Sequence, residues 1–282
     1  MTLSFGARLA ATFDSAGRLC VGIDPHAYLL GEWSLGDDAK GVREFGLRVV
    51  EATFGRAGII KPQVAFFERH GSAGYAALED VLAAARAAGL LVIADVKRGD
   101  VGTSVEAYGE AWLTPGSPLE ADAMTISAFQ GVGSIRAPHD LALANGKGLF
   151  VLAATSNPEA ATLQTATVNT GPTAAKTVAA SIVSDVHDWN SSEASLGSTG
   201  VVIGATVGLA DYGITPASLA NTPILAPGFG HQGALVSDAT RLFGAASANV
   251  VVSASRSILA AGPSGVAAAI DTQAAEIAGA FA

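Results

Sequence analysis

Two lysines, three aspartates and an arginine stand where short apolar runs of this chain give out. Asp24 follows the run Leu19–Ile23, Lys61 follows Gly58–Ile60, and Asp95 and Lys97 follow Leu90–Ala94 within the stretch ADVKRGD (94–100). Asp100 lies just past that stretch, and Arg256 follows the run that starts at Val250. On an extended strand Asp95 and Lys97 are two residues apart and point to the same side. In a partly dry pocket each favours the ionised form of the other. Such a pair serves either as catalytic machinery or as a structural ion pair, and the residues alone leave both readings open. Asp24 has a similarly plain alternative as a turn residue before Pro25.

Something must carry these groups to one place. The apolar runs are Leu19–Ile23, Gly58–Ile60, Leu90–Ala94, Ala123–Ile126, Leu149–Ala153, Val201–Ala205, Pro223–Ala226 and Val250–Ser253. Most are rich in Val, Ile and Leu without strict alternation, as expected for parallel strands buried on both faces. Between them lie helix-period patterns: Val42, Phe45, Val49 and Thr53; Tyr75, Leu78, Leu82 and Ala85; Leu235, Ala239 and Leu242; Val266, Ile270, Ile277 and Phe281. Gly89 and Gly148, just before strands, are expected to close the preceding helices in the left-handed conformation. Eight strand–helix units in order predict an α/β chain folded as a single-domain (β/α)8 TIM barrel over residues 1–282; an open doubly wound sheet is the alternative. In such a barrel the site is built at the carboxyl ends of the strands, which is where the charged residues fall. The Ser/Thr/Asn-rich segments 155–173 and 191–199 read as long loops.

The whole composition narrows the class of function. Half of the 282 residues are hydrophobic, enough for a large core, and the formal net charge of −9 argues against a broad cationic surface for nucleic acid. An anionic ligand would need a few local cations. The single cysteine, Cys20, allows no internal disulfide and reads as core packing. The histidines His26, His70, His139, His187 and His231 show no metal-ligand spacing. No signal peptide or membrane-spanning run is visible, so a cytoplasmic enzyme is expected.

The stretch IADVKRGDVGTS (93–104) resembles the signature of the orotidine 5′-phosphate decarboxylase family, Asp-x-Lys-x-x-Asp followed by an aliphatic and a small residue. CVGIDPH (20–26), KPQVAFFERHG (61–71), SAFQGVGS (127–134), LAATSNP (152–158), APGFGHQG (226–233) and SASRSIL (253–259) are similar to the long bacterial, mycobacterial-like subtype of that family. A lone Asp-x-Lys-x-x-Asp is weak evidence. Seven segments in family order are specific.

The resemblance implies decarboxylation of orotidine 5′-monophosphate to uridine 5′-monophosphate and CO₂, with no metal or organic cofactor. It implies Lys97 as proton donor, held by Asp95 and by Asp100 of a neighbouring subunit, in a homodimer with shared sites. Lys61 completes an alternating array and, with Asp24, is expected to bind ribose hydroxyls. Ser134 matches a family serine that bonds the pyrimidine amide, and Gln232 a residue that bridges phosphate and pyrimidine. Arg256 can grip two phosphate oxygens through its planar fork, and the loop holding Gly228, Gly230 and Gly233 can bring backbone N–H groups close. The plain alternative for Arg256 is a surface salt bridge. The family threonine four residues after the last aspartate is Ser104 here, with Thr103 beside it, so either hydroxyl can be the one that reaches substrate. Two other functions compete. One is a Mg²⁺-dependent sugar-phosphate decarboxylase or aldolase on a related barrel, which would place an acidic ligand where Lys61 stands. The other is a non-catalytic nucleotide-binding barrel, which would be expected to lack a member of the array.

Overall fold

Eight short strands pair in parallel and in chain order, and the last closes on the first: β1 (Leu19–Ile23), β2 (Ile59–Pro62), β3 (Leu91–Arg98), β4 (Ala123–Ile126), β5 (Gly148–Ala154), β6 (Thr199–Ile203), β7 (Ile224–Pro227) and β8 (Val250–Ala254). The structure, a computed structural model, describes residues 3–193, 195–230 and 233–281. It is the expected closed (β/α)8 barrel, and closure excludes the open sheet. Among the described residues no helix is long and apolar enough to cross a membrane.

The strand period of two divides the apolar residues between two cores. Outward residues such as Val21, Ile60, Val92, Met124, Val151 and Val252 meet the helix stripes Val42, Phe45, Val49 and Leu78, Val81, Leu82. Inward residues Cys20, Ile59, Ile93, Ala123, Phe150, Val202, Leu225 and Val251 fill the barrel together with Phe5 and Leu9 of the first helix (Phe5–Ala16). Because both faces of each strand are buried, its sequence reads as a continuous apolar run. The helices Ala39–Thr53, Gly71–Ala87 and Gly262–Ala280 match the expected patterns. Around Leu235–Leu242 only Ala239–Phe243 is α-helical, and a 3₁₀ turn (Val236–Asp238) precedes it.

The first helix seals the amino-terminal end of the barrel. Its Phe5 ring lies where a Cβ on Gly148 would come within 2.3 Å of it. This corrects one expectation: Gly148 is required for close packing, and the left-handed residue closing the helix Arg136–Ala144 is Gly146, at φ 64°. Gly89 is left-handed as expected, at φ 72°. Polar groups at this end answer one another. Arg8 donates to Asp122 Oδ1 at 2.5 Å and to the Gly146 carbonyl at 2.8 Å, Asp122 Oδ2 accepts the Val92 N–H at 2.9 Å, and Lys147 donates to Glu120 at 2.7 Å.

Candidate active site

The inward alternation that builds the barrel core continues upward by one step and changes character. Two residues beyond Ile59 stands Lys61, two beyond Ile93 stands Asp95, two beyond Ala123 stands Thr125, and two beyond Val251 stands Ser253. These polar side chains form the floor of a cavity of about 220 Å³ at the carboxyl ends of the strands. Asp24, Gln63, Lys97, Gly228 and Arg256 line its walls. Three cations therefore face two carboxylates in a chain whose formal net charge is −9.

Asp95 is the hub. Its Oδ2 accepts from Lys61 Nζ at 2.9 Å and from Gln63 Nε2 at 2.9 Å; its Oδ1 accepts from Lys97 Nζ at 2.6 Å and from Thr125 Oγ1 at 2.9 Å. Four donors occupy the lone pairs of one carboxylate, so it is fixed in orientation. Burial favours the neutral acid, but the Lys61 and Lys97 ammoniums outweigh it and hold the Asp95 carboxyl well below the usual carboxylate range. Burial likewise pushes the Lys61 ammonium down, and the Asp95 and Asp24 carboxylates overcome this and raise it above the ordinary lysine value. Both groups stay ionised at neutral pH. Burial pushes the Cys20 thiol up to about 12, which fits a packing role.

Asp95 and Lys97 do meet, though not along a regular strand as their spacing suggests. Pairing of β3 with β4 passes from Ala94↔Met124 directly to Arg98↔Ile126, so four steps on β3 oppose two on β4. Within this bulge Lys97 is left-handed, at φ 47°, and its N–H donates to Thr125 Oγ1 at 3.0 Å rather than to a ladder carbonyl. A bulge re-aims a side chain. Here it leaves the Lys97 side chain 47% exposed at the cavity while its ammonium still touches Asp95.

The other expected residues divide clearly. Asp24 reaches the cavity with Oδ1 buried and without a hydrogen-bond partner. Arg256 opens the short helix Arg256–Leu259, lines the cavity and, among the described residues, pairs with no carboxylate, so the surface salt bridge is absent. Gly228, Gly230 and Gly233 all have positive φ, as a tight loop requires. The N–H groups of Gly230 and Gly233 are taken up inside the loop, by the Ala234 and Gly230 carbonyls, so they do not extend the donor set as expected. Ser134 is on the 3₁₀ turn Val132–Ile135 and does not line the cavity; its Oγ is buried without a partner. Asp100, Thr103 and Ser104 are also outside the cavity of their own chain. Asp100 accepts the Val101 N–H at 2.9 Å, and Thr103 and Ser104 are exposed on the first turn of the helix Gly102–Leu113. Gln232 and His231 lie outside the described residues. Gln63 and Thr125 are cavity residues that sequence reasoning passed over. Counting two residues on from the apolar Ala123 would have found Thr125. No group of three or more His, Cys, Asp or Glu among the described residues is placed to hold a metal ion.

A family model described as orotidine 5′-phosphate decarboxylase / HUMPS family matches residues 17–270. A Nocardioides sp. protein named orotidine 5′-phosphate decarboxylase is 49% identical over 257 residues, 91% of this chain and 92% of that protein. One of the same name from Streptomyces coelicolor is 49% identical over 260 residues, 92% and 91% of the two chains. Among solved structures, a candidate orotidine 5′-phosphate decarboxylase from Streptomyces avermitilis superposes with a TM-score of 0.93 at 47% identity, covering 99% of this chain and 96% of that one. The OMP decarboxylase of Leishmania donovani superposes with a TM-score of 0.78 at 28% identity, covering 99% and 100%.

Proposed function

The chain belongs to the orotidine 5′-phosphate decarboxylase / HUMPS family, and we propose that it converts orotidine 5′-monophosphate to uridine 5′-monophosphate and CO₂ in UMP biosynthesis, without metal or organic cofactor. It is a carboxy-lyase. The observation that carries the mechanistic reading is the Lys61–Asp95–Lys97 array on the cavity floor. When the C6–carboxylate bond breaks, its electron pair stays on C6 in an orbital that the ring π-system delocalises poorly. A fixed ammonium stabilises that charge as it develops and then donates a proton to it. Lys97 is the array member whose side chain is half exposed at the cavity. It gives up one proton, C6–H forms, CO₂ leaves, and solvent reprotonates the amine. Asp95 holds Lys97 in place, and Lys61 with Asp24 binds the ribose hydroxyls. Arg256, a free planar fork at the cavity wall, takes the phosphate, with Gly228 beside it.

Asp100 completes the site from a second subunit, in a homodimer with two composite sites. Its place outside the cavity of its own chain supports this, and Thr103 or Ser104, on the helix that follows, accompanies it. The pyrimidine amide is left to Ser134 and Gln232.

A Mg²⁺-dependent reaction of the same family is the competing reading. Against it, Lys61 occupies the end of β2, where a metal ligand would be needed, and its charge repels a cation. The test is purified, exhaustively chelated protein mixed with orotidine 5′-monophosphate. Equimolar UMP and CO₂ are expected at the untreated rate; turnover that appears only after Mg²⁺ is restored would favour the competing reading.

A further inference from the structure

We infer that Thr125 is a positioning residue for the proton transfer: its hydroxyl ties the Asp95 carboxylate and the Lys97 backbone to one point on β4. The inference rests on the reading of Lys97 as proton donor.

Thr125 is 1% exposed, in the inward layer directly above Ala123. Its Oγ1 makes two contacts, one with the Lys97 N–H at 3.0 Å and one with Asp95 Oδ1 at 2.9 Å. The backbone N–H can only donate, so the single hydroxyl proton is directed at the carboxylate. Both groups of the proposed proton donor's surroundings are thereby fixed by one atom. The Lys97 backbone is left-handed within a bulge that has no ladder bond at this residue, and such a conformation persists only where its surroundings over-determine it. The Lys97 ammonium shares Asp95 Oδ1 with the same hydroxyl. Without that hydroxyl the Lys97 N–H loses its partner and Asp95 Oδ1 loses one of its two donors, so the half-exposed lysine is held only through its ammonium, on a carboxylate anchored by Lys61 and Gln63 alone. Valine keeps the β-branched shape of threonine and lacks only the hydroxyl, so this substitution separates hydroxyl from shape.

The experiment compares Thr125→Val with Thr125→Ser, measuring kcat, KM, affinity for UMP, and exchange of the UMP C6 proton for deuterium in D₂O. Exchange reports proton transfer without CO₂ departure. Thr125→Val is expected to lower kcat and the exchange rate together by about 10- to 100-fold, since small misplacements of a reacting group cost that much. KM and UMP affinity should stay within about threefold, and Thr125→Ser should stay within about threefold throughout. If Thr125→Val does not fold, Thr125→Ala takes its place. The inference is overturned if the hydroxyl-free variant keeps kcat and exchange, if serine fails as badly as valine, or if only KM changes. Lys97→Ala in the same assays keeps the two claims apart. A dead Lys97→Ala beside a normal Thr125→Val strikes this inference alone, whereas an active Lys97→Ala strikes the proton-donor reading beneath it.

Discussion

At the amino-terminal end of the barrel, Arg8, Asp122, Lys147 and Glu120 interlock beneath the first helix; at the opposite end, Lys61, Asp95, Lys97 and Arg256 surround a cavity. Both sets are charged and partly buried at strand ends. They differ in what completes them. At the lower end the chain answers its own groups with side chains, a backbone N–H and a carbonyl, and among the described residues Arg8 Nε is the one buried atom of this set without a partner. At the mouth Asp24 Oδ1 is buried and unanswered, Arg256 pairs with no carboxylate among the described residues, and the Lys97 side chain is half exposed. An unsatisfied buried polar atom costs about 1–3 kcal/mol. On the function proposed, bound substrate supplies that partner at the mouth. On that proposal the lower network serves stability and the upper one is arranged for substrate.

Substitutions at the two ends should separate activity from stability. Lys97→Ala is the largest expected effect: a fall of about 10⁴-fold or more in kcat, with the melting temperature little changed. Activity within about tenfold of wild type would remove Lys97 from the mechanism. Next is Arg256→Ala, which should lower kcat/KM for the phosphorylated substrate by about 100-fold or more while scarcely changing the slow reaction of the phosphate-free nucleoside. Equal losses with both substrates would make Arg256 structural. The smallest effect on chemistry belongs to the lower end. Asp122→Ala breaks the Arg8 pair and leaves the Val92 N–H unanswered, so denaturant unfolding should show a loss of about 2–4 kcal/mol. Its kcat per folded molecule should match wild type, and a large fall in kcat would erase the distinction between the two ends.

The strands were legible because burial on both faces writes each one as an apolar run, and parallel order follows from the helix patterns between them. The bulge in β3 was not. The strand was read as extended through Asp95 and Lys97 and does run on to Arg98, but nothing in the residue pattern marks the irregularity that turns Lys97 left-handed. Gly148 was misread for a related reason: a glycine before a strand signals a helix cap, whereas this one makes room for Phe5, a contact between distant parts of the chain. In the site, Lys61, Asp95, Lys97, Asp24 and Arg256 announced themselves as charges out of place. Thr125 did not, because a threonine inside AMTI is an ordinary strand residue until its inward face is known. Ser134 was placed by resemblance, and the turn that carries it sets it apart from the cavity. Asp100 is legible as a motif member, but the motif does not say whose cavity it enters.

That last question bears on the central claim, that the mouth is left incomplete by its own chain. The most direct test mixes Lys97→Ala protein with Asp100→Ala protein, each inactive alone, under conditions where subunits exchange. In a heterodimer with composite sites, one site carries both defects and the other carries neither. Activity should return to about half of wild type per heterodimer. A mixture that stays inactive after exchange has been demonstrated would place Asp100 in its own chain's site and contradict the account.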